Sequence, residues 1–420
     1  MLQTPEQNQS QKQKTKTSLA NPSRPQGTGF LMPANWVHHN QIVEKVLEGD
    51  YFGIRPYSAE FVATLNCSNR CKGPCSYCLQ RMIEGVDRKN SFTNPEVHMQ
   101  SFSFAKDMLD KLIAGGVKGI TFTGGGEPFL FRHLEELVFE ATKKGVDCVV
   151  YTNGNSVSEK RISRLIEASP ILIRQSLNCG TEQVYNEFHK PFNTNAFSNA
   201  LKSAKAFAQG ALNNPKVNFG ISFIVNEINK DDIPETGKRI REILDEVGGG
   251  ISFLAYRPAF NYCGSKQTPP EVLDEAFNLV EDSVKPILAD TKVKVNNVKC
   301  RYETLKGEER EYTKCRASGL YAELAPNGKL HVCCDRNCHR AFAIGDLKTQ
   351  TFEEIFSSDQ RKAVLAYADD YNCTTCPLAC KPHETNKQFE LIETLRNQGE
   401  MYKAEAWINA QRQKGSAVNF

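Results

Sequence analysis

The sequence lacks both long apolar runs and a marked excess of charge. No stretch of about 18 consecutive apolar residues occurs in the 420-residue chain, which excludes a membrane-spanning helix. Lys and Arg together number 52 and Asp and Glu number 49, so the net charge is only +3. This balance gives neither the basic surface of a nucleic-acid-binding protein nor a strong attraction to membrane lipid. We therefore predict no membrane and no nucleic-acid partner.

The apolar segment of a secretory signal is also missing, because the chain opens with MLQTPEQNQSQKQKTKTS. This opening predicts a cytoplasmic protein, in a reducing compartment. Cysteine, by contrast, is abundant: the chain has 15 cysteines, an odd number that cannot all pair. Cysteine clusters in cytoplasmic proteins bind metals more often than they form disulfides. The cysteines therefore predict metal ligands.

Changes in composition divide the chain into predicted segments. A length of 420 residues suits two or three domains. The Gln- and Lys-rich start has no apolar period and is typical of disorder. In chain order, the segments are a disordered tail (1–29), a capping segment (30–57), a strand–helix core (58–268), a linker helix (269–299), a cysteine-rich domain (300–383) and a C-terminal helix (384–420).

Within the core, β-branched and apolar runs alternate with helical periods. This alternation predicts parallel β–α–β units, in which the chemistry lies at the carboxyl ends of the strands. Cys, Gly, Glu, Asn and Ser follow the predicted strands and suit a ligand site there. The predicted strands are 61–65, 118–123, 147–152, 171–177, 217–225 and 250–256.

Shorter signals locate helix starts and one turn. Ser156 with Glu159, and Thr351 with Glu354, have the spacing of a capping box. The Ala-Pro-Asn-Gly run at 325–328 separates two apolar segments and predicts a β-hairpin. The predicted helices in the core and the linker are 102–114, 131–144, 196–209 and 270–288.

Four cysteines follow the first predicted strand on a Gly- and Pro-containing loop. They are Cys67, Cys71, Cys75 and Cys78, within twelve residues. Four thiolates could close a tetrahedral zinc site, although structural zinc sites usually take their ligands from two separated pairs. The alternative is an iron–sulfur cluster held by thiolates on a short loop.

The spacing of Cys71, Cys75 and Cys78, with Tyr77 before the last cysteine, resembles the C-x3-C-x2-C motif of the radical S-adenosylmethionine (SAM) superfamily. This resemblance implies a [4Fe–4S] cluster with one iron free of protein thiolate, to which SAM binds. It also implies an electron donor of the flavodoxin or ferredoxin type. Cys67 opens a similar spacing, so Cys67 and Cys71 with either Cys75 or Cys78 remain alternative ligand sets.

Three later strand ends carry further matches to the superfamily. Gly125, Gly126 and Glu127 resemble its Gly-Gly-Glu-Pro motif, which implies that this loop binds the amino group of SAM through Glu127 or a neighbouring carbonyl. By position, Asn153 and Ser176 resemble the residues that contact the carboxylate and ribose of SAM. Taken alone, these residues could also form ordinary turns.

A second group of cysteines lies between residues 300 and 380. Cys315, the Gly-x4-Cys step to Cys333 and the later Cys373-x2-Cys376 resemble the SPASM/twitch extension of radical SAM enzymes. The resemblance implies one auxiliary [4Fe–4S] cluster on these four cysteines, which could ligate substrate or accept an electron. Spacing alone would also allow zinc. The cysteines that could replace a ligand or support a second cluster are Cys334, Cys338 and Cys380.

Together these features predict a partial (β/α)6 TIM-like barrel with a C-terminal SPASM/twitch domain. The implied activity is reductive cleavage of SAM to a 5′-deoxyadenosyl radical, which takes hydrogen from a substrate. A small molecule such as a sugar, nucleoside or amino-acid derivative would be dehydrogenated, epimerised or decarboxylated. Maturation of a ribosomal peptide is the alternative, but the first 57 residues look too short and polar for a leader-binding domain. A non-enzymatic zinc-binding module is the third hypothesis.

Overall fold

The computed structural model describes residues 35–69, 92–259, 268–307, 310–336, 339–376, 378 and 380–413, except for the side chains at 300, 301, 335 and 370–375. The predicted tail (1–29) and the cysteine loop with Cys71, Cys75 and Cys78 lie outside these ranges. Within them, the strands form one sheet in the order β10-β9-β8-β1-β2-β3-β4-β5-β6-β7. The strands are β1 (Ser58–Val62), β2 (Gly119–Thr123), β3 (Asp147–Thr152), β4 (Leu172–Ser176), β5 (Asn218–Val225), β6 (Phe253–Pro258), β7 (Lys294–Asn297), β8 (Tyr321–Leu324), β9 (Lys329–His331) and β10 (Ala343–Asp346).

Helices connect most of the parallel strands and continue the chain beyond the sheet. Residues 280–284 form a π-helical turn that joins α8 to α9. The helices are α1 (Asn40–Glu48), α2 (Phe102–Ala114), α3 (Leu134–Lys143), α4 (Glu159–Glu167), α5 (Glu182–His189), α6 (Ala196–Asn213), α7 (Ile233–Val247), α8 (Pro270–Leu279), α9 (Lys285–Ile287), α10 (Lys299–Leu305), α11 (Phe352–Ser357), α12 (Asp359–Thr375), α13 (His383–Asn397) and α14 (Met401–Arg412).

The predicted (β/α)6 arrangement is confirmed. Strands β1 to β6 pair in sequence order and all run parallel, so their carboxyl ends meet at one end of the sheet. Strand β3 and helix α2 have the predicted bounds. Strand β6 begins later than predicted, because Gly248, Gly249 and Gly250 take positive φ angles that an extended strand does not allow.

Side-chain alternation gives the sheet two different faces. Ile120 and Phe122 on β2 join the large core formed with the helices. A separate apolar cluster lies on the opposite, inner face of the sheet, where Val149 and Leu172 meet Phe253. Polar side chains occupy the inner positions nearer the carboxyl ends of the strands, which leaves that end suited to a polar ligand.

The cysteine-rich region is built onto the same sheet. The predicted hairpin is confirmed: β8 and β9 pair antiparallel, and Gly328 at the turn has a φ of +87°. Strand β8 also pairs parallel with β1, so that Glu323 lies opposite Glu60. The C-terminal domain therefore extends the barrel sheet at β1.

Helix ends show one confirmed capping box and two wrong predictions. Thr351 and Glu354 form the reciprocal bonds of a capping box at α11. Ser156 does not cap α4, because its hydroxyl donates to Asn155 and the helix begins after Ser158. The single C-terminal helix is wrong as well, since Gly399, with a φ of +74°, separates α13 from α14.

A second core joins the two ends of the described chain. Trp36 is 1% exposed and its ring lies 5.1 Å from that of Phe389, edge to face. Its Nε1 donates to Gln388 at 2.7 Å. Ile392 and Ile408 complete the contact from α13 and α14. The segment before the barrel therefore packs on the C-terminal helices.

Arg361 on α12 joins the segment before β1 to the C-terminal domain by hydrogen bonds. The side chain is 1% exposed, and its guanidinium donates to the carbonyls of Phe52 at 2.7 Å and Ile54 at 2.5 Å. The same group lies 4.5 Å from the centre of the Phe356 ring. One buried cation thus satisfies two main-chain acceptors just before β1.

Replacing Arg361 with Met should lower the free energy of unfolding by about 2 kcal/mol, because buried carbonyl oxygens lose their donors. Urea unfolding followed by circular dichroism measures this change. The matched control is Arg55→Met, which removes an exposed ion pair with Glu353 and should shift the midpoint little. Equal shifts for the two variants would contradict the role assigned to Arg361.

Candidate active site

The glycine loop after β2 lies directly against the chain that leaves β1. The backbone N–H of Glu127 donates to the carbonyl of Asn66 at 2.7 Å. A Cβ atom at Gly126 would lie 2.1 Å from that same carbonyl oxygen, which is far inside van der Waals contact. Gly125 is buried beside it. Glycine at 126 is therefore required by the close approach of the two backbones.

Glu127 joins this loop to the end of β3. Its carboxylate is 2% exposed and accepts hydrogen bonds from Phe129 N at 3.1 Å, Thr152 Oγ1 at 2.8 Å and Asn153 N at 2.7 Å. Burial raises the pKa of Glu127, and these three bonds oppose that shift. Both carboxylate oxygens are thus engaged by the protein itself.

Arg161 on α4 supports the segment after the loop. It makes a bidentate ion pair with Glu135, with both N–O distances at 2.6 Å. The same guanidinium donates to the carbonyls of Phe129 at 2.5 Å and Phe131 at 3.0 Å. The position of the glycine loop therefore depends on one well-paired arginine outside the sheet.

Asn153 meets the residues that lead into the cysteine loop. Its Nδ2 donates to Ser68 Oγ at 3.0 Å and lies 3.7 Å from Cys67 Sγ. The backbone N–H of Asn69 approaches the same sulfur at 3.5 Å. Cys67 is half-buried, not packed in the apolar core. The structure therefore brings together the predicted residue Asn153, the alternative ligand Cys67 and the glycine loop.

Ser176 ends β4 and lies next to Ser222 of β5, with 3.3 Å between the two hydroxyl oxygens. Two residues earlier, on the same inner face, Arg174 stacks 3.4 Å from the centre of the Tyr151 ring. Arg174 is 7% exposed. The wall below Ser176 is thus polar and cationic, whereas the far end of the inner face is apolar.

Sequence reasoning missed a buried network next to Asn153. Asn155 accepts from Ser68 Oγ at 2.5 Å and donates to Asn69 Oδ1 at 2.6 Å. Tyr185 and His189, both on the unpredicted helix α5, complete it. The Asn-x-Asn pattern after β3 was the available signal for Asn155, whereas nothing in the sequence placed α5 against this strand end.

Two predicted ligands in the second cysteine group accept hydrogen bonds from nearby side chains. Cys315 and Cys333 are buried, and Cys376 is half-buried. Asn386 Nδ2 donates to Cys315 Sγ at 3.4 Å, and Arg336 donates to Cys376 Sγ at 3.1 Å. Amide and cationic donors favour thiolates, so the donor set fits an iron–sulfur centre.

Cys380 is buried in the same region. Burial raises the pKa of Tyr312, and the nearby thiols of Cys380 and then Cys315 add to the effect. Cys338 and the side chain of Cys373 lie outside the described residues. Among the described side chains, no three of Cys, His, Asp and Glu are grouped closely enough to hold a metal ion.

A lysine joins the cysteine-rich domain to the inside of the barrel. Lys381, directly after Cys380, forms an ion pair with Glu60 on β1. Burial opposes the charge on this lysine, but Glu60 and the thiol of Cys334 raise its pKa well above the usual value. Cys333 and Cys334 line a small cavity with this pair. Cys333 and Cys334 therefore lie beside β1, next to Glu60 and Lys381.

Comparison with known proteins identifies both parts of the chain. The radical SAM superfamily matches residues 65–240, and an iron–sulfur cluster-binding domain, SPASM, matches residues 315–380. The chain is 26% identical over 188 residues to the Fe-coproporphyrin III synthase of Methanosarcina barkeri, which is 44% of this chain and 41% of that protein. It is 26% identical over 197 residues to the dTDP-4-amino-4,6-dideoxy-D-glucose ammonia-lyase of Streptomyces venezuelae, covering 43% of this chain and 38% of the lyase.

Both matches span only about two fifths of the relatives' lengths. Among solved structures, Streptococcus suis SuiB bound to the precursor peptide SuiA aligns with a TM-score of 0.55 and 14% identity, over 82% of this chain and 76% of SuiB. At that identity the likeness concerns the fold alone. None of the described helices combines the length and apolar character needed to cross a bilayer. The chain carries a radical SAM superfamily domain, built as a partial (β/α)6 barrel, and a C-terminal SPASM domain, and these two domains imply [4Fe–4S] clusters and SAM as its cofactors.

Proposed function

We propose that this enzyme cleaves SAM reductively and uses the resulting radical to take a hydrogen atom from a small-molecule substrate. The observation that carries the proposal is the contact of Asn153 with Ser68 and Cys67 beside the glycine loop. It joins two strand ends that match SAM-binding positions to the start of the cysteine loop. When bound and reduced, the cluster supplies the electron that breaks a C–S bond of SAM, giving methionine and the 5′-deoxyadenosyl radical.

The residues around SAM would bind and orient it. Because both carboxylate oxygens of Glu127 are engaged, a main-chain carbonyl of the glycine loop is the better acceptor for the ammonium of SAM. The side-chain amide of Asn153 would donate a hydrogen bond to the carboxylate of SAM, and the hydroxyl of Ser176 would hydrogen-bond to the ribose of SAM. Glu127 then acts by holding Asn153 N in place at 2.7 Å.

Cys71, Cys75 and Cys78 are the proposed ligands of the SAM-binding cluster, with Tyr77 beside the last. The position of Cys67 beside Asn153 supports its alternative role as a ligand in place of Cys75 or Cys78. Cys315, Cys333, Cys373 and Cys376 are the proposed ligands of one auxiliary cluster. Cys334, Cys338 and Cys380 are the candidates to replace one of them or to support a second cluster.

A small-molecule substrate is favoured by the relatives, whose names include a sugar-nucleotide ammonia-lyase and a nucleotide dehydratase. The substrate would lie in the lumen below SAM, against the wall that contains Arg174 and Tyr151. We further propose a cytoplasmic enzyme that receives electrons from a flavodoxin- or ferredoxin-type protein. A peptide gene beside this one would instead favour peptide maturation.

The purified enzyme, prepared without oxygen, should be brown and contain about eight irons per chain, four for each of two clusters. Addition of dithionite and SAM should release 5′-deoxyadenosine and methionine, which chromatography measures. A colourless protein with bound zinc, or a brown one that releases no 5′-deoxyadenosine, would show that the proposed function is wrong.

The variant Cys75→Ala should abolish SAM cleavage and retain about four irons, because the auxiliary ligands are intact. The matched variant Cys67→Ala should keep both the iron content and the cleavage if Cys71, Cys75 and Cys78 are the ligands. Iron analysis and the 5′-deoxyadenosine assay measure the two properties separately. If Cys67→Ala loses SAM cleavage and Cys75→Ala keeps it, the cluster ligands are Cys67, Cys71 and Cys78 instead.

Replacing Ser176 with Ala should raise the KM for SAM about fivefold, because one hydrogen bond to the ribose is lost. Ser163→Ala is the control, since that hydroxyl bonds only within α4 on the surface. Steady-state cleavage assays at varied SAM concentration measure the effect. An unchanged KM in Ser176→Ala would contradict ribose binding by Ser176.

A further inference from the structure

A buried histidine, which the proposed chemistry does not use, contacts the residues that lead into the cysteine loop. His189 is the last residue of α5 and is 3% exposed. Its Nδ1 lies 3.3 Å from Asn69 Nδ2, which is two positions before Cys71. This contact joins α5 to the start of the loop across 120 positions of sequence.

The surrounding hydrogen bonds fix the orientation of both side chains. Asn69 Oδ1 accepts from Asn155, so Asn69 turns its Nδ2, which can only donate, toward the ring. His189 Nδ1 faces this amide, and the other ring nitrogen, Nε2, lies 3.4 Å from Asn178 Nδ2. The imidazole also forms a hydrogen bond with the backbone of Leu177, directly after β4. The ring is thus held between the side chains of Asn69 and Asn178.

The backbone after α5 also contacts residues 68 and 69. Lys190 takes a left-handed conformation, with φ +45°, and turns the chain back along residues 68 and 69. Pro191 pairs with Asn69 in an isolated antiparallel bridge, and the N–H of Phe192 donates to the carbonyl of Ser68 at 3.2 Å. Residues 67–69 are therefore held both by side chains and by the main chain.

Helix α5 is a firm support for these contacts. Tyr185 and Phe188 are 0% and 2% exposed and belong to the large core. The Tyr185 hydroxyl also lies 3.3 Å from Asn155 Nδ2, so one helix contacts both partners of the network. Because a helix that packs into the core moves little, it can hold the groups that contact it in fixed positions.

We propose that His189 is a positioning residue for residues 67–69, and through them for the cysteine loop and the Asn153 amide. This stretch directly follows Asn66, which bonds to the glycine loop, and its Ser68 accepts a hydrogen bond from Asn153. An error in its position would misplace SAM relative to the cluster. This inference rests on the proposed function, because it assigns no chemistry of its own to His189.

The test is His189→Leu, compared with the wild type in the holoenzyme. We expect unchanged iron content and loss of the change that SAM produces in the electron paramagnetic resonance signal of the reduced protein. SAM cleavage should fall by up to about 100-fold, the effect expected for a displacement of about 1 Å. The conservative variant His189→Gln, which keeps an acceptor and a donor, should restore most of the spectral change and of the rate.

Val184→Ala is the matched control, since this half-buried side chain packs against the large core from the same helix and is not part of the Asn69–Asn155–His189 network. It should lower the unfolding midpoint and leave the SAM-dependent spectrum intact. If His189→Leu does not fold, Asn69→Ala breaks the same contact from the loop side and should give the same spectral loss. Wild-type spectra and rates in both His189→Leu and Asn69→Ala, or equal impairment in Val184→Ala, would overturn the positioning role. Failure of the wild type to cleave SAM would instead overturn the proposed function.

Discussion

The geometry of the candidate site depends on one buried carboxylate. Glu127 accepts from Phe129, Thr152 and Asn153, so two neighbouring strand ends share a single anion. A buried carboxylate is stable only when it is well hydrogen-bonded, and here two donors are main-chain N–H groups of the loops and the third is the hydroxyl of Thr152 on β3. Because those groups cannot move independently of the sheet, the glycine loop and the amide of Asn153 are positioned together.

The close approach of the loop after β2 to Asn66 explains why that loop needs glycine. Gly126 lets the loop come within hydrogen-bonding distance of Asn66, and Asn66 is followed at once by Cys67 and Ser68. The three loops that follow β1, β2 and β3 therefore meet through backbone groups and the carboxylate of Glu127. Side chains contribute at the edge, where Asn153 reaches Ser68. A ligand at this edge would be met mainly by dipoles fixed before it binds, which lowers the entropy lost on binding.

Periodicity predicted the barrel and the hairpin because both follow local patterns. Strand β3 and helix α2 had clear apolar periods bounded by glycine or turn residues, and their ends were found. Helix α5 was missed, since its eight residues carry only two core side chains, Tyr185 and Phe188. Its partner, the end of β3, lies far away in sequence. The polar network of the site therefore could not be predicted: it is set by tertiary contacts, and those leave no local period.

The two cysteine regions belong to one sheet, and this bears on how they could act together. Strand β8 pairs with β1 in register, so the chain that reaches Cys333 starts beside the strand that leads to Cys67. The ion pair of Lys381 with Glu60 adds a second tie inside the lumen. No flexible linker intervenes along this path, because the hairpin hydrogen bonds directly to the barrel. The strand that leads to Cys67 and the hairpin that leads to Cys333 are therefore held at a separation that the sheet itself sets.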